Sequence, residues 1–244
     1  MDLLESKLSK SKNRHPWEIS RAQNILRLLE KIDIGNVVDI GAGDKFFLGQ
    51  IRNRVKGQLA AVDLNYRQNK IVKDEVLCLK QTKDIPKFKG ADNVYLLMDV
   101  LEHIEDDVGF LKPIVQGARP KNTFLITVPA FQPLFSQHDA FVKHYRRYNR
   151  QQLLAVLKKS DLDVQSCHYF YASLLAPRVL TKIFERDIQK KQFGTANWRF
   201  SPQHWLTGLL VLILNLDFLF CKILAKFRIY LPGLSLVAIC QKTL

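Results

Sequence analysis

N-V-V-D-I-G-A-G-D, running from Asn36 to Asp44, is a short β-branched apolar run that ends in an acid and two glycines spaced one apart. Such a run is a buried strand passing directly into a ligand-binding loop. Glycine opens backbone angles closed to other residues and lets a ligand approach main-chain N–H groups with no Cβ in the way. A helix is expected over Phe46 to Arg54, and then L-A-A-V-D-L (Leu59 to Leu64) is a second apolar run ending in an acid. Strand, glycine loop, helix, strand and terminal carboxylate is the order of a nucleotide-type site, in which the acid, here Asp63, accepts hydrogen bonds from ribose hydroxyls.

Working outward, the pattern repeats. Glu75 to Leu79 reads as a weak third strand, Asn93 to Met98 as a stronger fourth, and Thr123 to Val128 as a fifth ending at Pro129, with a helix over residues 108 to 118 stopped by Pro120. Val164 to Tyr171 and Leu236 to Cys240 supply a sixth and a seventh. Alternating strands and helices give an α/β fold: a Rossmann-like, seven-stranded, mostly parallel sheet with helices on both faces. Ahead of it, Pro16 opens a helix whose stripe is Trp17, Ile25, Leu28, Leu29 and Ile32, and Asn149 with Gln152 makes a capping box for a later helix. The reading is a flexible tail over 1–14 and one domain over 15–244, with 172–231 as a helical, apolar and basic insertion before the last strand.

Composition excludes some classes. A hydrophobic content of 47% with 25% charged residues argues against both disorder and full membrane embedding. The net charge of +14 is uneven: residues 141–244 hold 16 Lys+Arg against five Asp+Glu, and residues 1–140 hold 21 against 18. A basic surface favours an anionic partner such as nucleic acid, a phosphorylated metabolite or an acidic lipid. The four cysteines are widely spaced with no C-x-x-C pair, which implies a reducing, cytoplasmic compartment and no metal. No basic segment followed by an apolar one opens the chain, so no signal peptide is expected.

The insertion carries a basic stretch from Arg178 to Arg199 and then an apolar run from Trp205 to Leu224. That run has the roughly 20 residues a membrane span needs, but Asn215, Asp217 and Lys222 interrupt it, and charge within a bilayer costs several kcal/mol. Two other readings stay open: a wholly buried core helix, and a helix packed on the domain whose apolar flank lies in the inner face of the membrane while Lys222, Lys226 and Arg228 meet lipid phosphates.

V-V-D-I-G-A-G-D, A-V-D-L, D-V-L-E-H-I (Asp99 to Ile104) and L-I-T-V-P-A (Leu125 to Ala130) occur in the order and at the separations seen in class I S-adenosylmethionine-dependent methyltransferases, which the chain resembles. H-D-A-F-V-K-H-Y-R-R-Y-N-R-Q-Q-L and L-P-G-L-S-L-V-A-I-C-Q-K extend the resemblance to a bacterial subgroup associated with glycan and lipid biosynthesis. It spans nearly everything from His15 to Lys242.

The resemblance implies S-adenosyl-L-methionine as cofactor. Asp39, Gly41, Ala42 and Gly43 would surround its methionine part, Asp63 and Leu64 its ribose, Gln81 its adenine, and Asp99 and Val100 would border it on the acceptor side. Two positions depart from the family pattern. Lys45 stands where a third glycine is usual, and Gln81 where an acid is common, although Gln still accepts a hydrogen bond. His103 reads as a cap or packing residue, while Glu102 is open between that and a residue facing the acceptor.

Methyl transfer needs an aligned nucleophile and, for a hydroxyl, a base. His138, His144 and Tyr145 follow the fifth strand, at the edge where a parallel sheet opens to substrate, and are the catalytic candidates. Arg146, Arg147 and Arg150 suit a phosphate, or else tie down the loop. The reading is O-methylation of a small or lipid-linked acceptor, with glycan or phosphorylated acceptors included. The alternatives are a membrane-surface binding protein with a degenerate cofactor site and, lower, a nucleic-acid methyltransferase, which lacks the D/N-P-P-Y/F signature and interleaved aromatics.

Overall fold

The computed structural model describes residues 13–73, 75–88, 92–184 and 200–243. The expected 1–14 tail therefore lies almost wholly outside the described residues, as does most of the basic stretch from 178 to 199. Eight strands form one sheet: β1 (Val37–Ile40), β2 (Leu59–Val62), β3 (Ile71–Lys73), β4 (Val76–Leu79), β5 (Val94–Met98), β6 (Thr123–Pro129), β7 (Leu162–Phe170) and β8 (Ser235–Lys242). Their order is β3-β4-β2-β1-β5-β6-β8-β7. β4, β2, β1, β5 and β6 are parallel, while β8 runs antiparallel to both β6 and β7. The expected count of seven is corrected to eight: β3, exposed along its length, pairs antiparallel with β4 as an edge ribbon. Lacking a buried side, it has no apolar pattern to betray it.

The chain lays β2 and β4 to one side of β1 and then returns to lay β5 on the other. The carboxyl ends of β1 and β5 thus flank the point where strand order reverses, which is where open α/β sheets bind ligands. Strand alternation sends Val38 and Ile40 to one core, with Leu111 and Val115 of α3 (Asp107–Gly117) and Leu153 and Leu157 of α5 (Arg150–Lys159). Val37 and Ala61 face the other, with Ile25 of α1 (Pro16–Leu28) and Phe47 and Leu48 of α2 (Phe46–Ile51). Asp39, between Val38 and Ile40, points to that second side. The expected helix over 46–54 shortens to α2 followed by a tight turn at Arg52–Arg54.

His15 and Glu18 cap α1 reciprocally, and Asn149 and Gln152 do the same for α5. α1 buries Ile25 and Leu29 as its stripe implies, but also Ser20 and Asn24. Their partner comes from far along the chain. After β7, a turn at Ala172–Leu174 leads to α6 (Leu175–Phe184), and then α7 (Trp205–Lys226) packs on α1 and β7. Asn215 of α7 accepts from Ser20 Oγ at 2.9 Å and Asn24 Nδ2 at 2.8 Å, and donates to Gln23 Oε1 at 2.7 Å. Asp217 accepts from the N–H groups of Ala172 and Ser173 at 3.0 and 2.6 Å.

Two of the three polar interruptions of the apolar run, Asn215 and Asp217, are therefore its attachment to the domain. Val211, Leu214, Phe218 and Cys221 are buried beside them, while Trp205 (71% exposed), Leu212, Leu216 and Phe220 face out. α7 has the length and apolarity to cross a membrane. Only 28% of its most apolar stretch is buried, so it is not the wholly buried core helix.

Asn215→Ala removes the acceptor of the buried Ser20 hydroxyl and one of the three acceptors of Asn24 Nδ2, which keeps Ser20 O and Oγ. A loss of about 1–3 kcal/mol is expected in urea unfolding; an unchanged midpoint would show that these bonds contribute nothing net.

Candidate functional site

The loop after β1 is a sequence of constrained backbone positions. Gly41 has φ +74°, and a Cβ there would meet Val100 Cγ2 at 2.6 Å. The N–H groups of Gly41 and Ala42 both reach Val62 O, at 2.8 and 3.1 Å, which stitches the loop to the end of β2. Gly43 (φ 52°) donates its N–H to Asp63 Oδ2 at 3.0 Å, and Asp63 Oδ1 accepts from Asn65 N at 2.8 Å. Asp63 thus braces the glycine loop from the neighbouring strand, and Leu64 beyond it is exposed.

Lys45 adopts φ 66°, ψ 18°, the left-handed conformation that a glycine takes without cost. Its N–H closes a turn onto Ala42 O at 2.8 Å, and its carbonyl starts α2. The departure from the glycine pattern is one of side chain and not of backbone.

Asp39 is 1% exposed, and its Oδ1 has no hydrogen-bond partner among the described residues. It lines a cavity with Arg21, Gly41, Ala42, Asp44, Phe46 and Met98. Burial raises its pKa to about 7, with Arg21 opposing and Asp63 and Asp44 reinforcing the shift. α1 and the residues just before it close this cavity: Arg14 pairs with Asp44, and Arg21 pairs with Asp99 while its guanidinium stacks over Trp17 at 4.7 Å. Asp99 sits at φ 56°, and its Oδ1 accepts from Thr127 Oγ1 at 2.9 Å. Gln81 stands apart, exposed at the end of β4, two strands from β1.

On the acceptor side, the turn Leu101–His103 follows Asp99 and Val100. Glu102 is wholly buried, and neither carboxyl oxygen has a hydrogen-bond partner among the described residues. Burial raises its pKa to about 8. Over it folds the predicted catalytic loop, fastened by Tyr145 N donating to Glu102 O at 2.7 Å. His144 Nδ1 bonds Asp139 Oδ1 at 2.8 Å, its Nε2 lies 3.9 Å from Glu102 Oε1, and its ring meets that of His103 edge-on at 4.5 Å. Asp139 belongs to α4 (Gln137–Phe141) and also accepts from Arg147 Nε and from Ser136 N and Oγ. Burial alone would raise its pKa, but the His144 and Arg147 bonds hold it well below the carboxylate range.

His138 is half-buried, and desolvation lowers its pKa. Tyr145 is 54% exposed. The three arginines serve the framework: Arg146 bonds Asp107 and Glu105 O, Arg147 holds Asp139 and Ala130 O, and Arg150 reaches Cys167 O and stacks on Tyr230.

Asp39, Gly41, Ala42, Gly43, Asp63, Asp99 and Val100 therefore gather on one sheet edge, with His144 and Glu102 beyond Asp99. A buried carboxylate whose Oδ1 has no partner among the described residues, a glycine loop with no side chain in the way and the apolar Phe46 and Met98 suit a cationic ligand with an amino-acid tail. Arg14 and Arg21 were not legible as part of the site, because a pairing over 78 residues between Arg21 and Asp99 leaves no local pattern.

No protein-family profile matches the chain, and neither does any curated protein. Solved structures do resemble it. A SAM-dependent methyltransferase from Archaeoglobus fulgidus aligns at 16% identity over 91% of this chain and 92% of its own, with a TM-score of 0.53. Geranyl diphosphate methyltransferase, solved with geranyl diphosphate and sinefungin, aligns at 13% identity over 93% of this chain and 78% of its own, with a TM-score of 0.57. The cyclase SpnF aligns at 14% identity over 97% of this chain and 86% of its own, also with a TM-score of 0.57. The fold is that of the class I methyltransferases.

Two outcomes follow for the free protein. Lys45→Gly relieves a left-handed side chain and is expected to raise stability by up to about 1 kcal/mol in urea unfolding; a loss would mean the lysine side chain is itself needed. Asp39 binds its proton more tightly folded than unfolded, so its contribution is complete below about pH 4 and is lost as pH rises through about 7. Asp39→Asn should flatten the fall in stability across that window, and an unaltered pH profile would refute the assignment.

Proposed function

We propose that the chain is an S-adenosyl-L-methionine-dependent methyltransferase that modifies an oxygen of a small or lipid-linked acceptor. The observation that carries this reading is the buried Asp39 carboxyl, whose Oδ1 has no hydrogen-bond partner among the described residues and which lines one cavity with Gly41, Ala42 and Asp44. The fold does not decide the reaction, since a cyclase shares it. An acid raised to about 7, chiefly by burial, regains its charge when a cation lies against it.

The cofactor supplies an electrophilic methyl group on a sulfonium. The chain's part is to bind, orient and exclude water. Asp39 and the glycine backbone take the amino-acid end, Asp63 exchanges its Gly43 bond for ribose hydroxyls, and α1 with the residues just before it covers the cavity through Arg14 and Arg21. Acceptor activation falls to the histidine loop: His144, oriented by Asp139, presents Nε2 toward Glu102, and burial keeps His138 neutral near pH 7. The second reading, a membrane-surface binding protein with a degenerate cofactor site, draws on Lys45 and on the apolar run from Trp205 to Leu224; of these, Lys45 keeps the glycine-like turn.

The acceptor's setting is read from α7. Its outward apolar face, with Lys222, Lys226 and Arg228 at its C-terminal end and Phe227 72% exposed, suits the surface of an anionic bilayer on the cytoplasmic side. Geranyl diphosphate, bound by one structural neighbour, is an isoprenoid phosphate of the kind such a surface could present.

Calorimetric titration should give one site per chain for S-adenosylmethionine and for S-adenosylhomocysteine, with Asp63→Ala weakening both by tenfold or more. Heat indistinguishable from dilution would remove the enzyme reading. Flotation with phosphatidylglycerol vesicles should carry the wild type and not Leu216→Lys/Phe220→Lys; equal flotation of the two excludes this face.

A further inference from the structure

The group beside Asp99 is chemically odd for a set of packing residues. Glu102 is 0% exposed and both of its oxygens lack a hydrogen-bond partner among the described residues. A carboxyl left so costs several kcal/mol unless something meets it. What faces it is a histidine whose tautomer is already chosen. His144 Nδ1 lies 2.8 Å from Asp139 Oδ1, and Asp139 is secured by Arg147 Nε at 2.8 Å and Ser136 Oγ at 2.9 Å. Nδ1 therefore carries the hydrogen and Nε2 the lone pair, aimed at Glu102 Oε1 from 3.9 Å. That separation is too long for a hydrogen bond.

His103 completes the group: one ligand atom from each of Glu102, His103 and His144 lies within 4.8 Å of the others. A first-row metal with bonds of about 2.1 Å holds its ligand atoms about 3–3.5 Å apart, within reach of small side-chain rotations. An imidazole that donates its far N–H to a carboxylate is the usual outer support of a metal-bound histidine.

We propose that Glu102, His103 and His144 bind one divalent transition-metal ion, with Asp139 as the positioning residue for His144. Two imidazoles and one carboxylate favour an ion of the zinc or cobalt type over calcium or magnesium. Three protein ligands leave coordination positions open, and the site stands next to Asp99 at the carboxyl end of β5. The open positions take an acceptor oxygen; that last assignment rests on the methyl-transfer reading, whereas the ion site does not. It also makes His144 a ligand and not a free base, leaving His138 as the neutral histidine of the loop. The four cysteines, all buried and unpaired, offer no competing thiolate cluster.

The test is a Co2+ titration of the full chain, stripped with chelator and free of cofactor. One equivalent should develop visible d–d absorption that one equivalent of Zn2+ abolishes. Glu102→Gln, which keeps the shape of the side chain, and His144→Gln should each weaken Co2+ affinity at least tenfold, and Asp139→Asn should weaken it about 10–100-fold. His204→Ala, at the start of α7, should leave it unchanged, with circular-dichroism melts confirming that every variant is folded. Absence of the bands at one equivalent, or equal bands in folded Glu102→Gln and His144→Gln, would overturn the site. Because no cofactor is present, that failure leaves the cofactor reading standing, and a failed cofactor titration leaves the ion site standing.

Discussion

A carboxylate at the end of a buried parallel strand is the constraint on which the rest of this molecule turns. Asp39 lies in β1 between two strands, flanked by apolar neighbours on both, and no hydrogen bond reaches its Oδ1 among the described residues. Water cannot solvate it and no protein group neutralises it fully, so it holds a proton up to about pH 7. A fold tolerates such a group where a ligand completes it. The loop that follows is shaped for the same purpose, because Gly41 leaves room that a side chain would fill and Asp63 fixes the loop from β2.

The second constraint is how a 22-residue apolar helix stays attached to the sheet. Asn215 and Asp217 bond α1 and the turn after β7. They orient α7 so that one apolar stripe closes the second core and the other faces out. α1 is thereby held between α7 and the cavity, where its Arg21 meets Asp99 and Arg14, just ahead of its cap, meets Asp44. Attachment of α7 and closure of the Asp39 cavity are in this sense one arrangement, with Tyr171 OH donating to Trp17 O at 3.0 Å as a further link.

Much of this was legible in the sequence, and the pattern of what was not is physical. Strands buried on both faces announce themselves as continuous apolar runs, so β1, β2, β5 and β6 fell within a residue or so of where the runs lie. β3 is exposed and carries no such signal. The glycine loop and Asp63 were readable because the chemistry needs them at a fixed spacing. Lys45 looked like a defect because sequence shows the side chain, whereas the site uses the backbone angle. Arg21 with Asp99 and Glu102 with His144 come from elements far apart in sequence, and only folding brings them together. The same holds for Asn215, which read as an interruption and is a fastening.

The claim that the carboxyl edge of β1 and β5 is the cofactor site is tested most directly by amide hydrogen exchange with and without S-adenosylhomocysteine. Binding there slows exchange in the peptides covering residues 40–46 and 98–104 and in α1, and leaves the β7–β8 edge as it was. Protection confined to other segments, or none at saturating ligand, would contradict it.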